Sequence, residues 1–182
     1  MRAIILAAGL GSRIEKINPD KPKCLIDIGG ISILQRLVNQ FLENGIDKID
    51  IITGYKSILI KKKFNRIANV HFYPHFKKTN NLYTLYYFKH LLKDDTIISF
   101  ADIIVENNII RKLAKSDKNI TALIDTSAIR MGTMRVVLKK KILNYIGNYQ
   151  SYRAHGNFIG LLKIKKKTIK YFKSSMNKIL EF

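Results

Sequence analysis

The sequence predicts an α/β fold: a doubly wound, mostly parallel sheet with helices on both faces, plus a small β-hairpin insertion. Three observations carry this. Short apolar runs of strand length alternate with amphipathic segments of helical period from the first residues to about residue 124. A glycine-rich turn directly follows the first apolar run, where such a sheet places its ligand loop. No internal repeat, low-complexity tract or linker composition divides the 182 residues, so 1–182 is expected to form one domain.

The elements follow in order. Residues 2–7 form an apolar strand that runs into Gly9-Leu10-Gly11, and an amphipathic helix over 33–42 stops before Gly45. Residues 48–54 read as the second strand, 57–67 as a helix, and 70–73 as a third strand halted by Pro74. Thr79 or Asn80 suits the N-cap of a helix reaching Leu92, with Leu82, Leu85, Tyr86 and Leu92 as its buried stripe. Residues 96–101 read as a buried strand with Asp102 at its end, then 107–114 as a helix and 120–124 as a strand. After Asp125 the texture changes. Residues 135–138 and 142–147 flank three lysines as a hairpin, 158–164 gives one more strand, and 168–180 closes as a helix.

Composition excludes several classes. Hydrophobic residues are 47% of the chain, enough for a single core, yet no run approaches the ~18 apolar residues of a membrane span. The start runs into a glycine turn rather than a small-residue cleavage site, so a soluble, cytoplasmic protein with no membrane partner is expected. Cys24 is the single cysteine and His71, His75, His90 and His155 are scattered, which excludes an internal disulfide and argues against a structural zinc site. The 33 basic and 13 acidic residues give a net charge of +20, which favours polyanions. The lysine runs at 61–63, 139–141 and 165–167 also suit solvated helix faces or hairpin tips. No nucleic-acid reader motif accompanies them, so nucleic acid is not the expected partner; a basic nucleic-acid-binding module would betray itself by salt-steep affinity.

The sharpest local pattern is Leu6-Ala7-Ala8-Gly9-Leu10-Gly11-Ser12-Arg13, with Pro22-Lys23 a short loop later. Small residues let backbone N–H groups approach a ligand, and successive amides in such a loop make a concavity for phosphate oxygens. Arg13 and Lys23 add positive charge beside it; a tight turn with two solvated cations is the plainer alternative. Asp102, at the end of the strand over 96–101, puts a carboxylate at the same edge of the sheet as the loop. A strand-end aspartate also suits the cap of a following helix.

These motifs resemble the opening of the sugar-phosphate nucleotidyltransferase superfamily, whose signature is Leu-Ala-Ala-Gly-x-Gly-x-Arg followed by Pro-Lys. The resemblance implies a Rossmann-like nucleotidyltransferase fold. It implies that Leu6, Ala7, Ala8, Gly9, Gly11 and Ser12 hold an NTP, that Arg13 faces the leaving pyrophosphate, and that Lys23 neutralises the α-phosphate region. Asp102 would be the Mg²⁺ ligand. Further along, Lys78-Thr79-Asn80-Asn81-Leu82-Tyr83-Thr84-Leu85-Tyr86, Phe100-Ala101-Asp102-Ile103, Ile124-Asp125-Thr126-Ser127 and Phe158-Ile159-Gly160-Leu161-Leu162-Lys163 look like small bacterial cytidylyltransferases. These include enzymes acting on phosphocholine, phosphonates or phosphoglutamine.

That finer resemblance implies transfer of CMP from CTP to a small phosphorylated or phosphonate acceptor with release of pyrophosphate, in surface-polysaccharide or capsule decoration. Asn80 would offer its amide to base or acceptor, although it is equally suited to capping a helix. Asp125 and Lys163 are the acceptor-binding candidates, with residues 126–182 furnishing the acceptor side. The alternatives are a sugar-1-phosphate nucleotidyltransferase using UTP or dTTP, and a degenerate nucleotide-binding domain without turnover. The sequence departs from the family in lacking a clear second metal carboxylate near its end: beyond Asp125 the only acidic residue is Glu181.

Overall fold

The computed structural model describes residues 1–11, 20–129, 133–140, 142–147 and 154–180. Ten strands and five α-helices follow in the order β1 (Arg2–Ala7), β2 (Asp27–Ile28), β3 (Ile31–Ser32), α1 (Ile33–Glu43), β4 (Lys48–Thr53), α2 (Ser57–Phe64), β5 (Asn69–Phe72), α3 (Asn81–Tyr87), β6 (Thr96–Phe100), α4 (Asn107–Lys115), β7 (Ile120–Asp125), β8 (Arg135–Lys139), β9 (Ile142–Gly147), β10 (Gly156–Ile164) and α5 (Ile169–Leu180). The main sheet runs β5-β4-β1-β6-β10-β8-β9, with β7 also on β10.

Strands β5, β4, β1 and β6 are parallel neighbours, as the alternation of apolar runs and helices predicts. Beyond β6 the sheet turns mixed. Strand β10 pairs with β6 antiparallel, setting Leu161 opposite Ser99 and Lys163 opposite Ile97, and β7 lies antiparallel on the same strand. The reason is connectivity. A parallel return needs a crossover of a dozen or more residues, usually a helix. Between β7 and β10 the described residues hold only the β8–β9 hairpin, so the chain re-enters from the edge it had just reached.

The alternation of strand side chains divides the core between the two faces of the sheet. Ala3, Ile5 and Ala7 face one side, under Leu34, Leu37, Val38 and Phe41 of α1, Ile60 and Phe64 of α2, and Ile110 and Leu113 of α4. Ile4 and Leu6 face the other, under Leu85 of α3, Phe88, and Met176 of α5. At ~1.5–3 kcal/mol for each large apolar side chain fully buried, this two-sided burial is the main source of stability. Ser32 caps α1 by accepting the Gln35 N–H at 3.3 Å, and Gly45, at φ +72°, turns the chain out of it.

Most element ends shift by one or two residues, and three larger differences have a local cause. Helix α2 ends at Phe64 rather than Ile67, because the Phe64 carbonyl accepts the N–H groups of both Ile67 and Ala68 and closes the turn early. Helix α3 stops at Tyr87 and gives way to a 3₁₀ turn over Lys89–Leu91, a frequent tightening at helix ends. The β2–β3 hairpin was not foreseen, although two glycines of positive φ, Gly29 and Gly30, stand between Ile28 and Ile31 as its signal. Among the described residues, no helix is long and apolar enough to cross a membrane.

At the edge where the parallel strands begin, Asp50 of β4 is 1% exposed and is gripped by Arg2 of β1 and by His71 of β5, the latter at 2.8 Å. Burial alone would raise the Asp50 carboxyl, but the hydrogen bonds from His71 and Arg2, with their charges, hold it below its ordinary value. This network ties three neighbouring strands together at the end opposite the glycine turn.

Candidate functional site

Strands β1 and β6 deliver their C-terminal ends side by side, Leu6 opposite Phe100, and a cleft opens just beyond them. Ligands in parallel α/β sheets bind at this edge. From β1 come Leu6, Ala7, Gly9 and Gly11, all lining the cleft. The two glycines differ in kind. Gly11 has φ +67°, a conformation that costs any L side chain energy, whereas a Cβ on Gly9 would meet no atom of the described residues within 4 Å. Among the described residues the space over Gly9 is open.

The loop is braced from behind. Gly54, just after β4, lies so close that a Cβ there would stand 2.5 Å from the Ala8 carbonyl oxygen, so only glycine permits this contact. Ala8 itself is buried. Ser12 and Arg13 lie outside the described residues, as does Glu181.

Pro22, at φ −62°, opens a short 3₁₀ turn over Lys23–Leu25 that brings Lys23 to the mouth of the cleft. Its ammonium donates to the Asp102 carboxylate at 2.7 Å, Asp102 standing two residues past the last position of β6 in register with β1. Both partners are exposed, at 40% and 37% of their side-chain surfaces, so the pair contributes only ~0–1 kcal/mol and either partner can be drawn to a ligand at little cost. Cys24 lies beneath the turn; burial, opposed by a backbone hydrogen bond and aided by the Asp102 charge, pushes its thiol up to about 12. It is an uncharged packing group.

The remaining expected site residues separate. Asn80 is the cap of α3, its side-chain oxygen accepting the N–H groups of Leu82 at 2.9 Å and Tyr83 at 3.2 Å. The neighbouring Asn81 lines the cleft instead. Asp125 ends β7 and accepts from the Ser127 N–H and hydroxyl, at 2.9 and 2.6 Å; it shares the ligand-binding edge but does not line the cleft.

Lys163 is a correction. It is 2% exposed and its ammonium donates to the carbonyls of Ala114 and Ser116 at the end of α4, at 2.6 and 2.8 Å. Burial lowers its pKa, with the charges of Asp95 and Asp117 acting in the opposite direction and that of Lys165 in the same. Its partner in register is Ile97, near the start of β6, so it stands at the far edge of the sheet and closes a helix C-terminus rather than meeting an acceptor. Phe100, expected within a buried strand, lines the cleft as well; it is the last residue of β6, two before Asp102, at the strand end where the cleft opens.

A glycine loop, a lysine and a strand-end carboxylate converging at the edge of a parallel sheet define an NTP transferase domain. Residues 3–122 match the MobA-like NTP transferase domain, and the chain belongs to that family. The CTP:phosphoglutamine cytidylyltransferase of Campylobacter jejuni is 31% identical over 143 residues, 74% of this chain and 56% of that protein. The chain spans about half the length of the curated relatives it matches. Among solved structures, the inositol-1-phosphate CTP transferase from T. maritima superposes with a TM-score of 0.80 at 17% identity, over 95% of this chain and 74% of that one. The CTP:phosphocholine cytidylyltransferase from Streptococcus pneumoniae gives 0.74 at 24% identity, over 97% and 76%. At these identities the two superpositions establish a shared nucleotidyltransferase fold.

Proposed function

We propose that this chain is a cytoplasmic cytidylyltransferase that moves CMP from CTP to a small phosphorylated or phosphonate acceptor and releases pyrophosphate, in the decoration of surface polysaccharide or capsule. The observation that carries the reading is the Lys23–Asp102 pair at the mouth of a cleft floored by the open glycine Gly9. The CTP-using relatives and neighbours support the choice of nucleotide.

In this reading an oxygen of the acceptor's phosphate or phosphonate attacks the α-phosphorus of CTP. A P–O bond forms there as the bond to the bridging oxygen of the β-phosphate breaks, and pyrophosphate departs with that oxygen. No protein nucleophile takes part; the chain's work is positioning and charge stabilisation. Backbone amides of the glycine loop hold the phosphates. Lys23 leaves Asp102 for the α-phosphate, and Arg13 faces the pyrophosphate. Asp102 is an exposed carboxylate at the cleft, and one carboxylate together with phosphate oxygens and water is a donor set that suits Mg²⁺. Asp102 would hold that ion, whose chemistry is neutralisation of phosphate charge.

A pyrophosphate-release screen tests this, pairing CTP, UTP, dTTP and ATP with phosphocholine, phosphoglutamine, inositol 1-phosphate and glucose 1-phosphate. Release with CTP alone is the expected result. Release with UTP or dTTP and glucose 1-phosphate would make it a sugar-1-phosphate nucleotidyltransferase, and CTP binding without release a nucleotide-binding domain that does not turn over.

A further inference from the structure

The side of the cleft beyond Asp102 is built around one aromatic ring. Phe100 ends β6, lines the cleft, and meets Phe158 of β10 edge to face, the ring centroids 5.8 Å apart at 82°. Gly160 of β10 lies against the same ring. A Cβ there would fall within the van der Waals envelope of Phe100, and its φ of +84° is a left-handed conformation that other residues take only with strain. Between Phe158 and Leu162 the register of β10 on β7 shifts, an irregularity of the kind that re-aims side chains beside active sites. Two features of β10 thus meet the Phe100 side chain at the cleft, a ring against its edge and a missing Cβ, and the bulge lies in the same stretch of strand.

Strand order tells which ligand this ring meets. The glycine loop belongs to β1, Asp102 follows β6, and Phe158 belongs to β10, on the other side of β6 from β1. Phe100 stands beside Leu6 of β1 on one side and Phe158 of β10 on the other, so if the glycine loop holds the NTP, a group lying against the β10 side of the ring is on the far side of β6 from that loop, where the acceptor must stand to attack. We infer that Phe100, fixed by Phe158 and Gly160, is a specificity-determining residue that seats the carbon portion of the acceptor by apolar contact. The inference rests on the proposed reading of the site. An aromatic face at this place offers area and shape at low entropic cost, because the side chain has two χ angles and is packed against Phe158 and Gly160.

The test separates the two ideas. Protein labelled with 4-fluorophenylalanine is titrated with α,β-methylene CTP and Mg²⁺, then with phosphocholine, phosphoglutamine or inositol 1-phosphate, and the Phe100 signal is assigned by its loss in Phe100→Leu. The ring's ¹⁹F resonance should shift on addition of an acceptor to the nucleotide complex and stay in place with nucleotide alone. In parallel, Phe100→Leu should raise the KM of whichever acceptor turns over by about tenfold while changing the KM of CTP less than about twofold, the asymmetry expected of apolar contact with one substrate only. A shift caused by nucleotide alone, no response to any acceptor, or equal changes in both KM values would overturn the inference. Absence of pyrophosphate release from the unsubstituted protein defeats the cytidylyltransferase reading instead, while the ¹⁹F response still decides for or against Phe100.

Discussion

Replacing Gly9 by alanine separates a glycine kept for a ligand from a glycine kept for the fold. Among the described residues no atom lies within 4 Å of a Cβ at this position, and its φ is not in the left-handed region. Alanine therefore fits the free protein, and through lower entropy of the unfolded chain it should stabilise by ~0.4–1 kcal/mol. Gly11, at φ +67°, is the control: alanine there should destabilise by ~1–2 kcal/mol. For the nucleotide the order changes. A methyl group over Gly9 fills the space through which phosphate oxygens approach the backbone, and loss of one hydrogen bond to a charged group costs ~1.5–3 kcal/mol, or about 10- to 150-fold in CTP affinity. Urea denaturation and calorimetric CTP titration of Gly9→Ala and Gly11→Ala measure both quantities. Undiminished CTP affinity in Gly9→Ala, or destabilisation equal to that of Gly11→Ala, would refute the reasoning.

Lys23→Ala and Arg13→Ala should each reduce turnover by about a hundredfold or more, the scale of losing one preorganised charge; the exposure of Lys23 implies a change in stability below ~1 kcal/mol for that variant, read by thermal melting. Asp102→Asn should abolish Mg²⁺-dependent pyrophosphate release yet retain CTP binding, since amides and cations grip the phosphates without the metal. Because the Asp50 carboxyl is held below its ordinary value of 3.8, its contribution is fully present above that pH and is lost as pH falls through the folded value. Asp50→Asn should therefore cost ~3–5 kcal/mol at pH 7, where it leaves Arg2 and His71 beside an uncharged group, and progressively less below pH 4, as urea midpoints across that range will show. Lys163→Met should lower stability while leaving acceptor KM unchanged; a large rise in KM at unchanged stability would return Lys163 to the acceptor site.

How far the sequence discloses the molecule depends on whether a feature is local. The glycine loop, the strand before it and the parallel half up to β6 were legible because each rests on a pattern within one short segment. Lys163 shows where that fails. It stands near the C-terminal end of its strand, and in a parallel strand that end would open on the ligand. Strand β10 is antiparallel, which carries Lys163 to the opposite edge, and direction is fixed by pairing with β6, some 60 residues distant in sequence. The choice between Asn80 and Asn81 fails for a finer reason: which of two adjacent amides caps α3 decides which faces the cleft, and residue type alone does not distinguish them. Gly54 and Gly160 are unremarkable in sequence and acquire their meaning from Ala8 and Phe100, residues brought up by other strands.

The seam between β6 and β10 has an evolutionary consequence. The backbone hydrogen bonds joining β5, β4, β1 and β6 are formed by residues up to Ala101, so the segment between Asp125 and Gly156 can lengthen, shorten or be exchanged without disturbing one of them. Lineages sharing this architecture can thus vary the length of one insertion while the parallel half is inherited unchanged. A chimera that carries a relative's segment between these two residues should keep the parallel half folded, and with Phe100, Phe158 and Gly160 retained it should keep this chain's preference for the acceptor.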